Sequence, residues 1–276
     1  MDTKLISYEE KNTPIHRLSG VTKLAFFLLW CITSALTYDT RVLLIMDVIG
    51  VVIFIVSKTT WEQVGGVFKA VTLFMIINLV CIFFFAPYQG TEIYGTRTVI
   101  MHLFGNYSLT KEQLFYEFNV FIKYITIVPT IAIFLVTTNP SELAASMNMV
   151  GVPYSLSYSI AIALRYIPDV QSDFRRIRNA QEARGIEMSS KAGMLDRIKR
   201  TATIIFPLLF STMDRIDVVS NAMELRGFGK KPKRTWYSYH KLKTADYAVL
   251  AASVIFCIVA MYVTFRDGSR FYNPFV

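Results

Sequence analysis

Five stretches of the chain are almost unbroken runs of apolar residues, at 21–36, 42–56, 64–86, 120–136 and 247–265. A helix needs about 20 mostly apolar residues to cross the hydrocarbon of a bilayer. The runs therefore predict five spanning helices, the second of them short and completed by its flanks. The turn between the first two, Tyr38-Asp39-Thr40-Arg41, is tight, so these two form a hairpin. Lys69 and Lys123 sit near the ends of their runs, where a long side chain can reach the interface. Between the third and fourth runs, residues 87–117 are polar and read as an outer loop with a short helix at 111–116.

Residues 139–243 follow a different rhythm. Asn139-Pro140-Ser141-Glu142 reads as a helix start, with Asn as cap, Pro at the first helical position and Glu at the third. Gly151-Val152-Pro153 breaks that helix early. From Tyr154 no glycine interrupts the chain until Gly185. Residues 156–164 are nearly all apolar, and Ile167, Val170, Phe174 and Ile177 then recur at helical spacing, with charged residues on other faces. A second long helix is predicted from about Met194 to Leu225. Its middle is apolar at Ile204, Ile205, Leu208 and Leu209, and Met213, Ile216, Val219 and Met223 continue as a stripe. Pro168 and Pro207 are expected to bend the two helices. At about 1.5 Å per residue each is about 45–50 Å long. Each is too polar at one end to span, so both are expected to lie against the inner face of the membrane, apolar middle toward lipid or another membrane protein.

Both long helices finish alike. The first ends Asn179-Ala180-Gln181-Glu182-Ala183-Arg184-Gly185 and the second Asn221-Ala222-Met223-Glu224-Leu225-Arg226-Gly227, five of seven positions matching at an offset of 42 residues. Gly just past a helix end takes the left-handed conformation cheaply, and Arg in a last turn is favoured by the helix dipole. Capping therefore explains either end taken alone. Two copies at the same place on two similar helices point further, to a pair of like docking ends for a receptor with two like halves. Each Arg offers a forked donor to a carboxylate or to carbonyls, and each Gly leaves room for close approach.

Composition agrees with the membrane reading. Of 276 residues 53% are hydrophobic and 18% charged, with a mean hydropathy of +0.41. Soluble domains usually carry about 25% charged residues. Disordered, collagen-like and disulfide-scaffold classes are excluded by 13 Gly, 9 Pro and 3 Cys. Cys31, Cys81 and Cys257 lie in apolar runs and the three histidines are scattered, so neither a metal nor another cofactor is implied. Residues 1–13 are polar and lack the apolar core of a cleavable leader. The net charge of +9 is concentrated in 139–243, which holds seventeen basic and nine acidic residues. With the N-terminus inside, 22 of the 29 Lys and Arg are cytoplasmic and five are outside. The expected topology is N-terminus in, C-terminus out.

In this order, Thr138-Asn139-Pro140-Ser141-Glu142-Leu143, Gly151-Val152-Pro153, Leu164-Arg165-Tyr166-Ile167-Pro168, Ala180-Gln181 and the two Arg-Gly ends resemble the T component of energy-coupling factor transporters. These are prokaryotic importers of vitamins and trace metals and include cobalt and nickel importers. His16-Arg17-Leu18 with Lys23 fits too, although Ser19-Gly20 stands where the family has Asp-Pro, and Leu225 stands where Ala is common. The resemblance covers nearly the whole chain. It implies an all-α polytopic membrane protein: spanning helices 1–4 in residues 1–138, a cytoplasmic coupling domain in 139–243 and a last spanning helix in 244–276. It further implies a non-catalytic subunit of a prokaryotic plasma-membrane ATP-binding-cassette importer. Its partners would be two ATPase subunits, one small substrate-binding membrane subunit and the bilayer, with no nucleic acid. Ala183-Arg184-Gly185 and Leu225-Arg226-Gly227 would anchor the ATPases, and Ile204, Ile205, Leu208 and Leu209 would contact the substrate-binding subunit.

Two other classes compete. An enzyme would want a phosphate loop, a nucleophile set or paired intramembrane carboxylates, and none stands out. A self-sufficient secondary transporter would want ionisable groups within spans and repeated spans. Asp47 and Asn78 are its only midspan candidates, and no repeat of spans is visible.

Overall fold

The computed structural model of the chain describes residue 11 and residues 13–102, 108–185, 194–230, 235–236, 241–266 and 268–275. Most of the polar N-terminal stretch, Lys4 included, lies outside the described residues. The elements in chain order are α1 (Gly20–Leu36), α2 (Thr40–Ser57), α3 (Trp61–Phe85), α4 (Gln89–Tyr94), β1 (Val99–His102), β2 (Ser108–Thr110), α5 (Lys111–Thr137), α6 (Pro140–Met149), α7 (Tyr154–Ala183), α8 (Met194–Leu225) and α9 (Thr244–Arg266). They fall into two compact units: Met1–Leu143 with His240–Val276, and Ala144–Tyr239.

The first unit is the membrane part of an all-α polytopic protein. α2, α5, α9 and the Val64–Phe85 stretch of α3 are long and apolar enough to cross a bilayer, and α1 is apolar but has 17 residues. At 1.5 Å per residue α1 covers about 25 Å of a core about 30 Å thick. α1, α9, α2 and α5 form a ring in which each helix touches the next, and α3 packs on α5 from outside. Trp30, Val42, Met46 and Ala260 make one core cluster, while Val64, Ala132 and Val136 seal α3 to the bundle. The opposite faces leave Val48, Val52, Ile55, Phe74, Ile77 and Val80 exposed. That is wrong for water and right for acyl chains.

The 87–117 region departs from the sequence expectation. Residues 87–117 are not a loop with an isolated helix. They hold α4 and an antiparallel two-stranded hairpin with an irregularity between Val99 and Met101. The stretch 111–116 is the opening of α5, which runs unbroken into the span nine residues before its apolar run begins. The polarity that suggested a loop is inward-facing and paired. Buried Glu112 accepts from the Thr98 amide at 3.0 Å and from the Thr96 hydroxyl at 3.1 Å. Buried Gln113 accepts from the Gly90 amide at 2.9 Å, and Asn119 accepts from the Thr40 hydroxyl at 2.6 Å. Gly90 is required there, because a Cβ would stand 2.5 Å from the Glu112 carbonyl oxygen. Tyr94 closes the cap against Phe115, Phe271 and Phe275. Burial pushes its phenol up to about 12, so the hydroxyl stays protonated beside Asn119. Lys123 lies midway along α5, yet level with the end of α1: it donates to the Ala35 carbonyl at 3.0 Å and sits 3.5 Å from the centre of the Tyr38 ring.

At the other end of the bundle, the first turn of α1 grips the chain twice. Lys23, with 5% of its side chain exposed, donates to the carbonyls of Thr137 (2.9 Å) and His16 (3.3 Å) and pairs with Glu142 at 3.7 Å. Buried Asp246 accepts from the Ser19 amide (2.8 Å), the Thr22 hydroxyl (2.9 Å) and the Lys243 amide (2.8 Å). Burying these charges is offset only because each finds several partners.

The second unit is a helical pair. Gly151, at φ +112, turns the chain out of α6, with the Val152 amide bonded back to Met147 at 3.0 Å. α7 and α8 then run antiparallel. Tyr158 meets Phe228, Asp173 meets Arg215, and the Gln181 side chain reaches the Thr203 carbonyl at 3.4 Å. Pro168 and Pro207 lie inside these helices, and both continue through them.

Candidate functional site

Each Arg-Gly end is a capped helix terminus with a left-handed glycine after the arginine. α7 stops at Ala183, the Gly185 amide donates to the Glu182 carbonyl at 3.0 Å, and Gly185 has φ +85. α8 stops at Leu225, the Gly227 amide donates to the Glu224 carbonyl at 2.8 Å, and Gly227 has φ +66. Capping accounts for both glycines, since the left-handed region excludes most side chains. It does not account for what stands before them. Ala183, Arg184 and Arg226 are exposed, and Leu225 is 90% exposed, the most exposed large apolar side chain among the described residues. A cap needs no leucine in the open.

The antiparallel pairing fixes where the two ends stand. Arg215 donates to the Asp173 carboxylate at 2.8 Å, and these residues are themselves 42 apart in sequence, the offset of the two ends. Each lies eleven residues before the arginine of its own helix end. The helices therefore meet at equivalent positions, and the Arg184 and Arg226 ends lie on opposite sides of that meeting point, each about 16 Å from it along its helix. The arrangement is a local two-fold with two matched ends. One tip is better supported, because Tyr154, Tyr158, Phe228 and Trp236 stack behind Arg226, and the Trp236 indole donates to Asn148 at 3.1 Å.

The four apolar residues expected to face a partner divide. Ile204 is fully buried and Leu208 half-buried, while Ile205 and Leu209 are exposed. Sequence reasoning missed Phe206 and Phe210, which are exposed beside them, and Met213 and Ile216 extend the same bare surface. A groove of about 470 Å³ lies between the helices, walled by Val170, Ile216, Val219 and Met223. It also missed the Asp173–Arg215 contact, although the shared offset of 42 was a usable signal.

The family model described as cobalt transport protein, CbiQ, matches residues 11–237, from before α1 to past α8. This chain belongs to the CbiQ family. Among curated relatives, the energy-coupling factor transporter transmembrane protein EcfT of Leuconostoc gelidum subsp. gasicomitatum is 27% identical over 263 residues, covering 90% of this chain and 93% of that protein. The protein of the same name from Staphylococcus aureus is 29% identical over 285 residues, covering 94% and 97%. That from Lactococcus lactis subsp. cremoris is 30% identical over 159 residues, or 55% and 59%. The match to CbiQ thus includes α7, α8 and both Arg-Gly ends.

Proposed function

We propose that this CbiQ-family protein is the transmembrane coupling subunit of an energy-coupling factor importer in a prokaryotic plasma membrane, with its N-terminus and the α7–α8 pair in the cytoplasm. Two ATP-binding-cassette subunits take the Arg184 and Arg226 ends. A small substrate-binding membrane protein lies on the apolar surface around Ile205 and Leu209, with half-buried Leu208 and buried Ile204 supporting it from behind. Closing and opening of the ATPase pair pulls on two tips about 33 Å apart along the helices, a spacing of about 22 residues at 1.5 Å each, and tilts whatever rests on the surface between them. Substrate choice, a vitamin or a trace metal, belongs to the small subunit.

The observation that carries this reading is the pair of equivalent, exposed arginine ends about a central contact of equivalent residues. The asymmetry of Lys and Arg along the sequence supports the orientation. Asp47, the midspan carboxylate a secondary transporter would use, is engaged by the Thr126 hydroxyl at 2.6 Å and acts as a tie between α2 and α5. The test is affinity purification of the tagged chain from native membranes in mild detergent. Two ATPase subunits and one small apolar protein are expected with the wild type, and at least a tenfold loss of the ATPases with the Arg184→Glu/Arg226→Glu variant. A variant that keeps its ATPases at wild-type yield reduces both arginines to caps.

A further inference from the structure

Arg165, in the stretch Leu164-Arg165-Tyr166-Ile167-Pro168, caps no helix and fills no core. It is exposed on α7, and its side chain has no ion pair or hydrogen bond among the described residues. The antiparallel register says where it stands. Arg165 lies eight residues before Asp173, so it is level with Met223, eight residues after Arg215. That leaves it about 4.5 Å short of Arg226 along the pair. A second groove, of about 470 Å³, opens at that place, and Arg165 and Arg226 both line it, with Tyr158, Tyr166 and Asp169. Its walls are polar where those of the neighbouring groove are apolar. At the offset of 42 the equivalent of Arg165 is Pro207, so the local two-fold does not repeat this arginine.

Two arginines against the one carboxylate of Asp169 leave the groove with an excess of positive charge, so it favours an anion. Asp169 does not quench Arg165. An acid placed one turn before a base is the better order for a helical pair, here the order is reversed, and the two form no ion pair. Asp169 does limit what enters, because a polyanion would bring further negative charge against it. A single carboxylate meets both conditions. It accepts at about four lone-pair sites, which two arginine forks and the two phenols are suited to fill. We propose, on the coupling reading above, that Arg165 joins Arg226 in clasping one carboxylate of the ATPase subunit at that end. The two ATPase contacts then differ, because Pro207 offers no such fork at the Arg184 end.

The test is photo-crosslinking in the complex purified from native membranes in mild detergent, with the products identified by mass spectrometry. A photoreactive phenylalanine analogue replaces exposed Asn221 or its exposed equivalent Asn179. With Arg165 in place, both probes are expected to capture an ATPase subunit. Arg165→Ala is expected to cut capture at Asn221 about tenfold, to leave capture at Asn179 within about twofold, and to leave thermal unfolding unchanged. Arg165→Lys, which keeps the charge and loses the fork, is expected to cut capture at Asn221 about threefold. Added salt is expected to weaken capture at Asn221 more with Arg165 present than in Arg165→Ala. Undiminished capture at Asn221 in Arg165→Ala overturns the clasp, and so does an equal loss at both probes, which would make Arg165 a support of the helix pair. Capture of phospholipid at Asn221 in place of an ATPase overturns the class of occupant. Capture of no ATPase at either probe with Arg165 in place overturns the coupling reading itself, and the clasp with it.

Discussion

The two units of the chain treat polarity in opposite ways. The membrane unit takes charged and polar groups inside, where Glu112, Gln113, Asn119 and Asp246 are buried and bonded, and turns apolar side chains outward to lipid. The α7–α8 unit buries few groups, Ile204 and Ser157 among them, and leaves Leu209, Phe210, Met213, Ile216 and Leu225 bare. Among the described residues of the first unit every buried charge has a partner in the same chain. In the second, the bare residues exceed what a monomer normally shows. These are the residues that the proposed partners would cover.

That contrast can be broken at either side. The largest expected effect is in the membrane unit: Lys23→Met removes the buried ammonium that bridges two carbonyls and Glu142 and should cost about 3–5 kcal/mol. The readout is thermal unfolding of the purified chain, and an unchanged midpoint would mean the buried grip is idle. Gly90→Ala should follow at about 1–3 kcal/mol, because a Cβ there collides with the α5 backbone. It should be read by the same unfolding and by proteolysis of the 87–117 cap. Leu209→Asp should leave unfolding untouched and release the small membrane partner about tenfold, near 1.4 kcal/mol, with the ATPases still bound. Loss of the ATPases instead would reassign that surface. The smallest effect is at the meeting point of the helices. Asp173→Ala or Arg215→Ala should cost less than about 1 kcal/mol, since Arg215 is partly in solvent. A double-mutant cycle returning more would give that contact a weight its exposure does not suggest.

How much of this was legible beforehand follows the same contrast. The limits of α7 and α8 were legible because Gly151, Pro153, Gly185 and Gly227 punctuate the chain and the apolar stripe between them has one period. The five apolar helices were legible from run length. The cap formed by 87–117 was not, because Glu112, Gln113 and Asn119 carry the signature of a loop until their partners, 14, 23 and 79 residues away, are known. Nor could the sequence separate Ile204 from Ile205, adjacent residues of one apolar cluster that the antiparallel packing sends to opposite fates. The arginine ends could be found as a repeat. Their distance from a shared centre needed the Asp173–Arg215 contact.

The double grip of α1 has one more consequence. Lys23 holds Thr137 and Glu142, just before Ala144–Tyr239, and Asp246 holds Lys243, just after it. Where the chain leaves the membrane unit and where it returns are thus moored within five residues of each other, Ser19 to Lys23. A segment whose ends are moored together is an insert in the sense used for grafted domains, and such segments can be excised and bridged by a short link. The membrane unit thus carries both mooring points of the α7–α8 segment in one turn of α1.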